Sequence, residues 1–145
     1  MIKAEDLRIG DLVMVNDNCS LEQGTICKVS EVRSTPLYKE NEGSVGLKPI
    51  TNSIWSYGVL CRNIDPIPLT TEFLENNGFE MRKGTVFYAK NRLALKPLDE
   101  GKGYQVYQVG LGSLRLFYVK VRFVKYVHEL QHILWALGKD ANLKV

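Results

Sequence analysis

Short apolar runs alternate with turn residues in the first half of the chain, a pattern that predicts small β-strands. Gly10-Asp11 favours a turn, and Leu12 to Val15 follows it as a run of apolar and β-branched residues. Thr25 to Val32 predicts a second strand. Its apolar residues, starting with Ile26, recur every three positions instead of every two, and this spacing indicates either a β-bulge or strong coiling of the strand.

Further short strands are predicted at 45–48 and 55–61, with a polar loop over 33–43. The Gly-Asp-x-Val strand followed by a Gly-x-Ile-x-x-Val strand resembles an SH3-like β-barrel. Pro66 and Pro68 end this region, because proline cannot donate a hydrogen bond to a central strand. We therefore expect an SH3-like β subdomain over 1–67 and a second compact region over 68–145.

The second region begins with a predicted short helix, capped by Thr70 and ended by Asn77-Gly78. An antiparallel meander follows, with strands at 85–90, 93–98, 104–109 and 114–124, and a hairpin turn over 110–113.

In the last strand apolar residues alternate with polar and basic ones, which predicts one buried face and one solvated face. The residues expected to be buried are Phe117, Val119, Val121 and Phe123.

Residues Tyr126 to Leu137 have the clearest helical spacing, and Gly138 is a typical helix stop. The predicted fold class is therefore α+β: an N-terminal SH3-like small β-barrel followed by an antiparallel meander that the C-terminal helix covers.

Composition favours an ordinary globular protein. The chain has 145 residues, of which 45% are apolar and 24% charged, so it can form a core without disulfides or metals. The N-terminus lacks the apolar core of a signal peptide, and no apolar run is long enough to span a membrane. We expect a cytoplasmic protein without cofactors. Its three cysteines form no Cys-x-x-Cys motif and are expected to be free thiols.

Charge is distributed unevenly along the chain. Residues 1–77 carry 7 Lys/Arg and 11 Asp/Glu, whereas residues 78–145 carry 12 and 5, so the halves have net charges of −4 and +7. A basic half can attract phosphate backbones. Nucleic-acid binding through Tyr118, Lys120, Arg122 and Lys125 is therefore one alternative. The acidic half could equally complement the basic half within the molecule, or both halves could be ordinary solvated surface.

One string has a catalytic pattern: His128-Glu129-Leu130-Gln131-His132 matches H-E-x-x-H. On a helix, the two histidines can bind zinc and the glutamate can activate a water. A zinc hydrolase that uses His128 and His132 as ligands and Glu129 as base is thus a further alternative. The usual downstream third ligand is missing, and the two histidines lie on the polar helix face, so we expect surface residues and a non-enzymatic protein.

Trp135 lies on the same helix face as His128 and His132, away from the apolar stripe. An indole at that position needs cover. The alternatives are packing against the N-terminal subdomain, a homodimer through this face, or a binding anchor for an unknown partner.

Two strings carry a family resemblance: Ile64-Asp65-Pro66-Ile67-Pro68-Leu69-Thr70 leading to Gly78-Phe79-Glu80, and the helix that begins Tyr126-Val127-His128. They resemble a family of small uncharacterised proteins from prophage-like and mobile regions of gut bacteria. The resemblance implies an accessory or binding role in a mobile element. It also implies that the residues at Glu129 and His132 vary, which would make the H-E-x-x-H match incidental.

Overall fold

A computed structural model shows an α+β fold with two antiparallel sheets and a C-terminal helix. The structure describes residues 2–17, 19–33, 43–51, 54–112 and 115–145. The chain divides into two compact units. The first comprises Met1–Ile67 and Gln131–Asn142, and the second comprises Pro68–Leu130 and Leu143–Val145. The segment Gln131–Asn142 thus groups with the N-terminal residues, whereas the expected division left it in the second region.

The first unit contains one five-stranded sheet in the order β4-β3-β2-β1-β5. Its strands are β1 (Leu12–Val15), β2 (Ile26–Arg33), β3 (Ser44–Pro49), β4 (Tyr57–Leu60) and β5 (Ile64–Pro66). All neighbouring strands are antiparallel. The core of this unit is formed by apolar residues of the sheet together with Ile2, Ala4 and Leu7.

The predicted bulge in the second strand is confirmed. Val29 pairs with Leu47, but the next paired residue, Glu31, lies opposite Gly46, so Ser30 is an extra residue. The bulge explains the spacing from Val29 to Val32, because it shifts the alternation of faces by one position. Before the bulge the buried residues are Cys27 and Val29, at the ordinary two-residue spacing, and Ile26 lies on the other face. The predicted loop falls largely on residues 34–42, which lie outside the described residues.

The proline-rich boundary contains a strand that the sequence analysis did not predict. Ile64–Pro66 forms β5, and Pro66 lies opposite Val13 of β1. Because β5 is the last strand in the order, its missing proline N–H disrupts no inner ladder.

The second unit contains the helix α1 (Thr71–Asn76) and a sheet in the order β10-β9-β8-β7-β6. The strands are β6 (Glu80–Met81), β7 (Tyr88–Lys90), β8 (Leu93–Pro97), β9 (Tyr104–Leu111) and β10 (Leu116–Val124). The predicted cap is confirmed, because Thr70 Oγ1 accepts a hydrogen bond from the Phe73 N–H at 3.1 Å. The meander is also confirmed, although β9 extends through Gly110 and Leu111, which were predicted as turn residues.

The helix α2 (Val127–Ala136) follows β10 almost directly, and Gly138 ends it with a φ of 63°. Val127 to Leu130 belong to the second unit and the remaining helical residues to the first. Among the described residues, no helix has the length and apolar character needed to cross a membrane.

We predict that the three cysteine thiols react at very different rates. Cys19 is exposed, whereas Cys27 and Cys61 are buried. Burial, with a smaller effect from Cys19, raises the pKa of the Cys27 thiol to about 11, so little of the reactive thiolate exists at about pH 8. Iodoacetamide should therefore modify Cys19 first and Cys27 only after unfolding in urea, as followed by peptide mass mapping. Equal rates for Cys19 and Cys27 in the folded protein would contradict this assignment.

Candidate functional site

The side chains of His128, Glu129 and His132 in the H-E-x-x-H string each contact different residues. His128 is only 5% exposed, and its ring stacks on Tyr126 with centroids 5.9 Å apart. The expectation that His128 lies on an exposed polar face is therefore wrong. Val127, the residue before it, and Leu130, two positions further along the helix, are also buried. The covered surface of the helix is thus wider than its apolar stripe.

Glu129 caps the helix that contains it. Its Oε2 atom accepts hydrogen bonds from the backbone N–H groups of Lys125, at 2.7 Å, and Tyr126, at 3.0 Å. A glutamate at the third helical position commonly bonds back to the N-terminal amides in this way, because those amides have no partner within the helix. The carboxylate that a metal hydrolase would use as a base thus has a structural role here.

His132 pairs with an aspartate from the start of β1. Its Nε2 atom lies 2.8 Å from Asp11 Oδ2 and 3.0 Å from Oδ1. The Asp11 side chain is fully buried, and its Oδ2 also accepts the Arg8 N–H at 2.7 Å. Across the part of the chain that the structure describes, no three His, Cys, Asp or Glu side chains are grouped so that they could hold a metal ion.

Gln131 joins α2 to the start of β1 and to Ala141 through three hydrogen bonds. Its Oε1 accepts the Leu12 N–H at 3.0 Å, and its Nε2 donates to the carbonyls of Gly10, at 3.2 Å, and Ala141, at 3.1 Å. The sequence contained a signal for this residue. Gln131 lies four positions after Val127 and three before Leu134, so it is a polar residue on a buried stripe and requires partners. The fold determines which backbone groups act as hydrogen-bond partners of Gln131.

Trp135 lies against Gly10. A Cβ atom at Gly10 would be 3.1 Å from the Trp135 ring, and Gly10 has a φ of +98°, which favours glycine. The indole also stacks on His132, with centroids 5.8 Å apart. This geometry corresponds to the alternative in which Trp135 packs against the N-terminal part of its own chain.

We predict that Gln131→Met destabilises the first unit despite its similar side-chain volume. Methionine cannot accept the Leu12 amide proton effectively, and a buried backbone amide without a partner costs about 1–3 kcal/mol. Urea unfolding followed by tryptophan fluorescence should show the loss. The matched control is Gln108→Met at an exposed position of β9. It should change the free energy of unfolding by less than about 0.5 kcal/mol. Equal stability of the two variants would refute a structural role for Gln131.

The strand β10 differs most from its sequence-based prediction. Residues 116–123 are all exposed, including Phe117 at 51% and Val119 at 52%, and only Val124 is buried. The prediction of a buried Phe117, Val119, Val121 and Phe123 face is wrong. The strand is the outermost in its sheet, and its first residues pair with Leu111 and Gly110, beyond the last residue of β9 that pairs with β8.

A second bulge changes which residues of β10 share a face. Lys120 pairs with Tyr107, but the next paired residue, Arg122, lies opposite Val106. Because Tyr107 and Val106 are neighbours on opposite faces of β9, Lys120 and Arg122 also lie on opposite faces. Strict alternation had placed both on one face with Tyr118. The third cation, Lys125, lies 5.5 Å from the Tyr126 ring centroid.

Aromatic side chains cluster on the face that carries Lys120. Phe87 stacks on Tyr118 with centroids 5.2 Å apart, and Tyr107 meets both rings edge-on. Arg82 Nη1 donates a hydrogen bond of 2.7 Å to the Tyr118 hydroxyl. Tyr118 and Lys120 are candidate binding residues predicted from the sequence, whereas Phe87, Tyr107 and Arg82, which the fold places beside them, were not predicted. Their proximity depends on strand register across the sheet.

The first unit contains a small groove. It is lined by residues of β2, β3 and β4, among them Glu31, Arg33 and Gly46, and has a volume of about 120 Å³. Small-molecule sites usually have volumes of about 300–1,000 Å³. Arg33 forms two hydrogen bonds of 2.8 and 2.9 Å with Glu31, and these lower the pKa of the Glu31 carboxyl.

Comparison of the chain with protein-family models, curated proteins and solved structures found no match. The features that bear on function are therefore those of the chain itself. The β9–β10 hairpin, defined as Tyr104 to Lys125, combines exposed aromatic and basic side chains.

Proposed function

We propose that this chain is a non-enzymatic binding module that binds single-stranded nucleic acid through its β9–β10 hairpin. One observation carries the proposal: between Tyr104 and Lys125 the sequence has four basic residues and no acidic one, and β10 is exposed along residues 116–123. A surface with only positive charge attracts a phosphate backbone and has no carboxylate that would repel it.

The aromatic cluster supports a single strand over a duplex. Bases of a single strand can stack on exposed aromatic rings, and such stacking tolerates any sequence because every base has a planar face. Tyr118 remains 38% exposed beside Phe87, and Lys120 lies on the same face. This arrangement suits a chain whose bases contact the rings while its phosphates contact the cations.

The strands of the first unit support a second proposal, which concerns the fold of that unit. Its strand order β4-β3-β2-β1-β5 and the 3-10 helix Cys61–Asn63 just before β5 are features that an SH3-like β-barrel would have. We propose that this unit is such a barrel and that the chain acts as an accessory protein of a mobile element. The family resemblance supports the second point by association only.

We predict that removing two cations beside the aromatic cluster weakens binding to a fluorescein-labelled oligothymidylate. Arg82 contacts the Tyr118 hydroxyl, and Lys120 lies on the same face as that ring. The variant Arg82→Gln/Lys120→Gln should bind at least ~10-fold more weakly, and the slope of log K against log salt should fall by about 1.4, which is ~0.7 for each lost phosphate contact. The measurement is fluorescence anisotropy between about 50 and 200 mM salt.

A matched control keeps the net charge equal. Lys28 and Lys48 are exposed and lie opposite each other on β2 and β3, so Lys28→Gln/Lys48→Gln removes two cations from a different sheet. Binding by this control should change little. If the protein retains no oligonucleotide at about 50 mM salt, or if both double variants lose equal affinity, the hairpin proposal is wrong.

We further predict that the Tyr118 ring contributes to binding independently of charge. Tyr118→Ala should weaken oligothymidylate binding by roughly 5- to 100-fold, since stacking of one base is worth about 1–3 kcal/mol. Tyr118→Phe keeps the ring and removes only the hydroxyl that Arg82 contacts, so it should bind nearly as well as the unaltered protein. Duplex DNA of the same length should bind more weakly. An equal loss in both variants, or tighter duplex binding, would count against stacking.

A further inference from the structure

The outer edge of β10 is one of the two sheet edges of the second unit, and the strand is exposed along residues 116–123. The sheet order ends at β10, and within the described residues only β9 pairs with it. A strand at this position presents N–H and C=O groups that can pair with another strand. Shorter edge strands are common protection against such pairing, but β10 has nine residues, and six of the first eight are exposed large hydrophobic or aromatic side chains.

We propose that β10 pairs antiparallel with β10 of a second copy of this chain, with the two-fold axis at Tyr118. The proposal concerns the backbone edge of the hairpin, and it does not depend on nucleic-acid binding. Antiparallel pairing of one strand with its own copy forms an isologous interface, in which a single surface is complementary to itself.

The regular part of the strand determines the register. Leu116 to Lys120 pair with β9 without interruption, and the bulge begins directly after Lys120. A bulge limits continuous pairing, so the usable edge is this five-residue segment, and its central residue is Tyr118.

Side chains across the axis are compatible in this register. Tyr118 lies opposite Tyr118 of the second copy, and Phe117 lies opposite Val119. Aromatic–aromatic and aromatic–β-branched pairs are among those that stabilise neighbouring strands. Lys120 lies opposite Leu116, so no cation directly faces a cation. An axis at Lys120 would instead place two ammonium groups opposite each other, which is destabilising.

The exposed area indicates a weak dimer. Within the paired segment, Leu116, Phe117, Tyr118 and Val119 are each 38–52% exposed. With a full area of roughly 150–250 Å² for a large side chain, they present about 300–400 Å² on each copy. Two copies would bury at most about 700 Å², which is in the range of weak and transient interfaces. We therefore expect a dissociation constant well above the micromolar range.

Charge gives the dimer a salt dependence opposite to that of nucleic-acid binding. Two hairpins with four cations each repel one another, and salt screens that repulsion. Dimerisation should strengthen as salt is raised, while oligothymidylate binding should weaken. Failure of one proposal is therefore distinguishable from failure of the other.

The first test measures mass in solution. Sedimentation equilibrium of the whole chain in high salt should show a shift from the 16.5 kDa monomer to twice that mass as the concentration rises. Val119→Lys places a charge on the edge strand and should abolish the shift, whereas Val86→Lys alters a residue that is 55% exposed outside β10 and should not. A monomer at every concentration, a dimer that persists in Val119→Lys, or equal loss in both variants would overturn the proposal.

The second test examines the register and does not require a charged substitution. In a Cys19→Ser background, Tyr118→Cys places two thiols at the axis, where Cα atoms of opposed residues are about 4.5–5.5 Å apart, within disulfide range. Mild oxidation should give a covalent dimer on a non-reducing gel. Val86→Cys should remain monomeric, and Val119→Cys should cross-link more slowly because it lies opposite Phe117. Equal cross-linking at all three positions would exclude the Tyr118 register.

Discussion

The first unit depends on the contact between the start of β1 and the side chains of Gln131 and His132. Gln131 bonds the backbone of Gly10 and Leu12, and His132 bonds the buried carboxylate of Asp11. These contacts join residues separated by 119 to 121 positions, and they explain why Gln131–Asn142 groups with Met1–Ile67. Buried polar groups of this kind restrict the structure to one register, because any shift would leave an amide or a carboxylate without a partner.

The same contact accounts for local features that otherwise have no common cause. Gly10 has a left-handed backbone and lies against the Trp135 ring, so a side chain there would be strained and would crowd the indole. His132 lies between Asp11 and the indole of Trp135. Two members of the catalytic-looking string, Glu129 and His132, thus hold a helix end and a strand start. The third, His128, packs on Tyr126.

The hairpin has the opposite character. Each polar contact of the Gly10–Gln131 region fixes structure, whereas β10 exposes apolar, aromatic and basic side chains along residues 116–123. Exposed apolar area of this extent usually has a binding role, because it is unfavourable in water and can promote aggregation. The Tyr118 ring and Lys120 share one face of β10, whereas the backbone edge runs along the outer side of the strand. A nucleic-acid strand would contact that face and a second copy would pair through the backbone edge, so Tyr118 is a side chain that the two proposals share.

The sequence by itself determined the features that arise from neighbouring residues. The β2 bulge followed from apolar spacing, the α1 cap from Thr70, and the end of α2 from Gly138, because each depends on backbone geometry within a few positions. The α+β class followed from the same local periodicities. Tyr118 and Lys120 were named as candidate binding residues from their residue types alone.

Tertiary structure decided everything that depends on which strand lies beside which. Alternation in β10 indicated a buried face, but a strand buries its apolar side only if another layer covers it, and β10 is the outermost strand of its sheet. The bulge after Lys120 then placed Arg122 on the opposite face. Gln131 and Asp11 are 120 positions apart, so no local sequence pattern could predict that Gln131 bonds the backbone on either side of Asp11. Burial and hydrogen-bond partners are properties of the folded neighbourhood, whereas caps, turns and bulges are properties of the local chain.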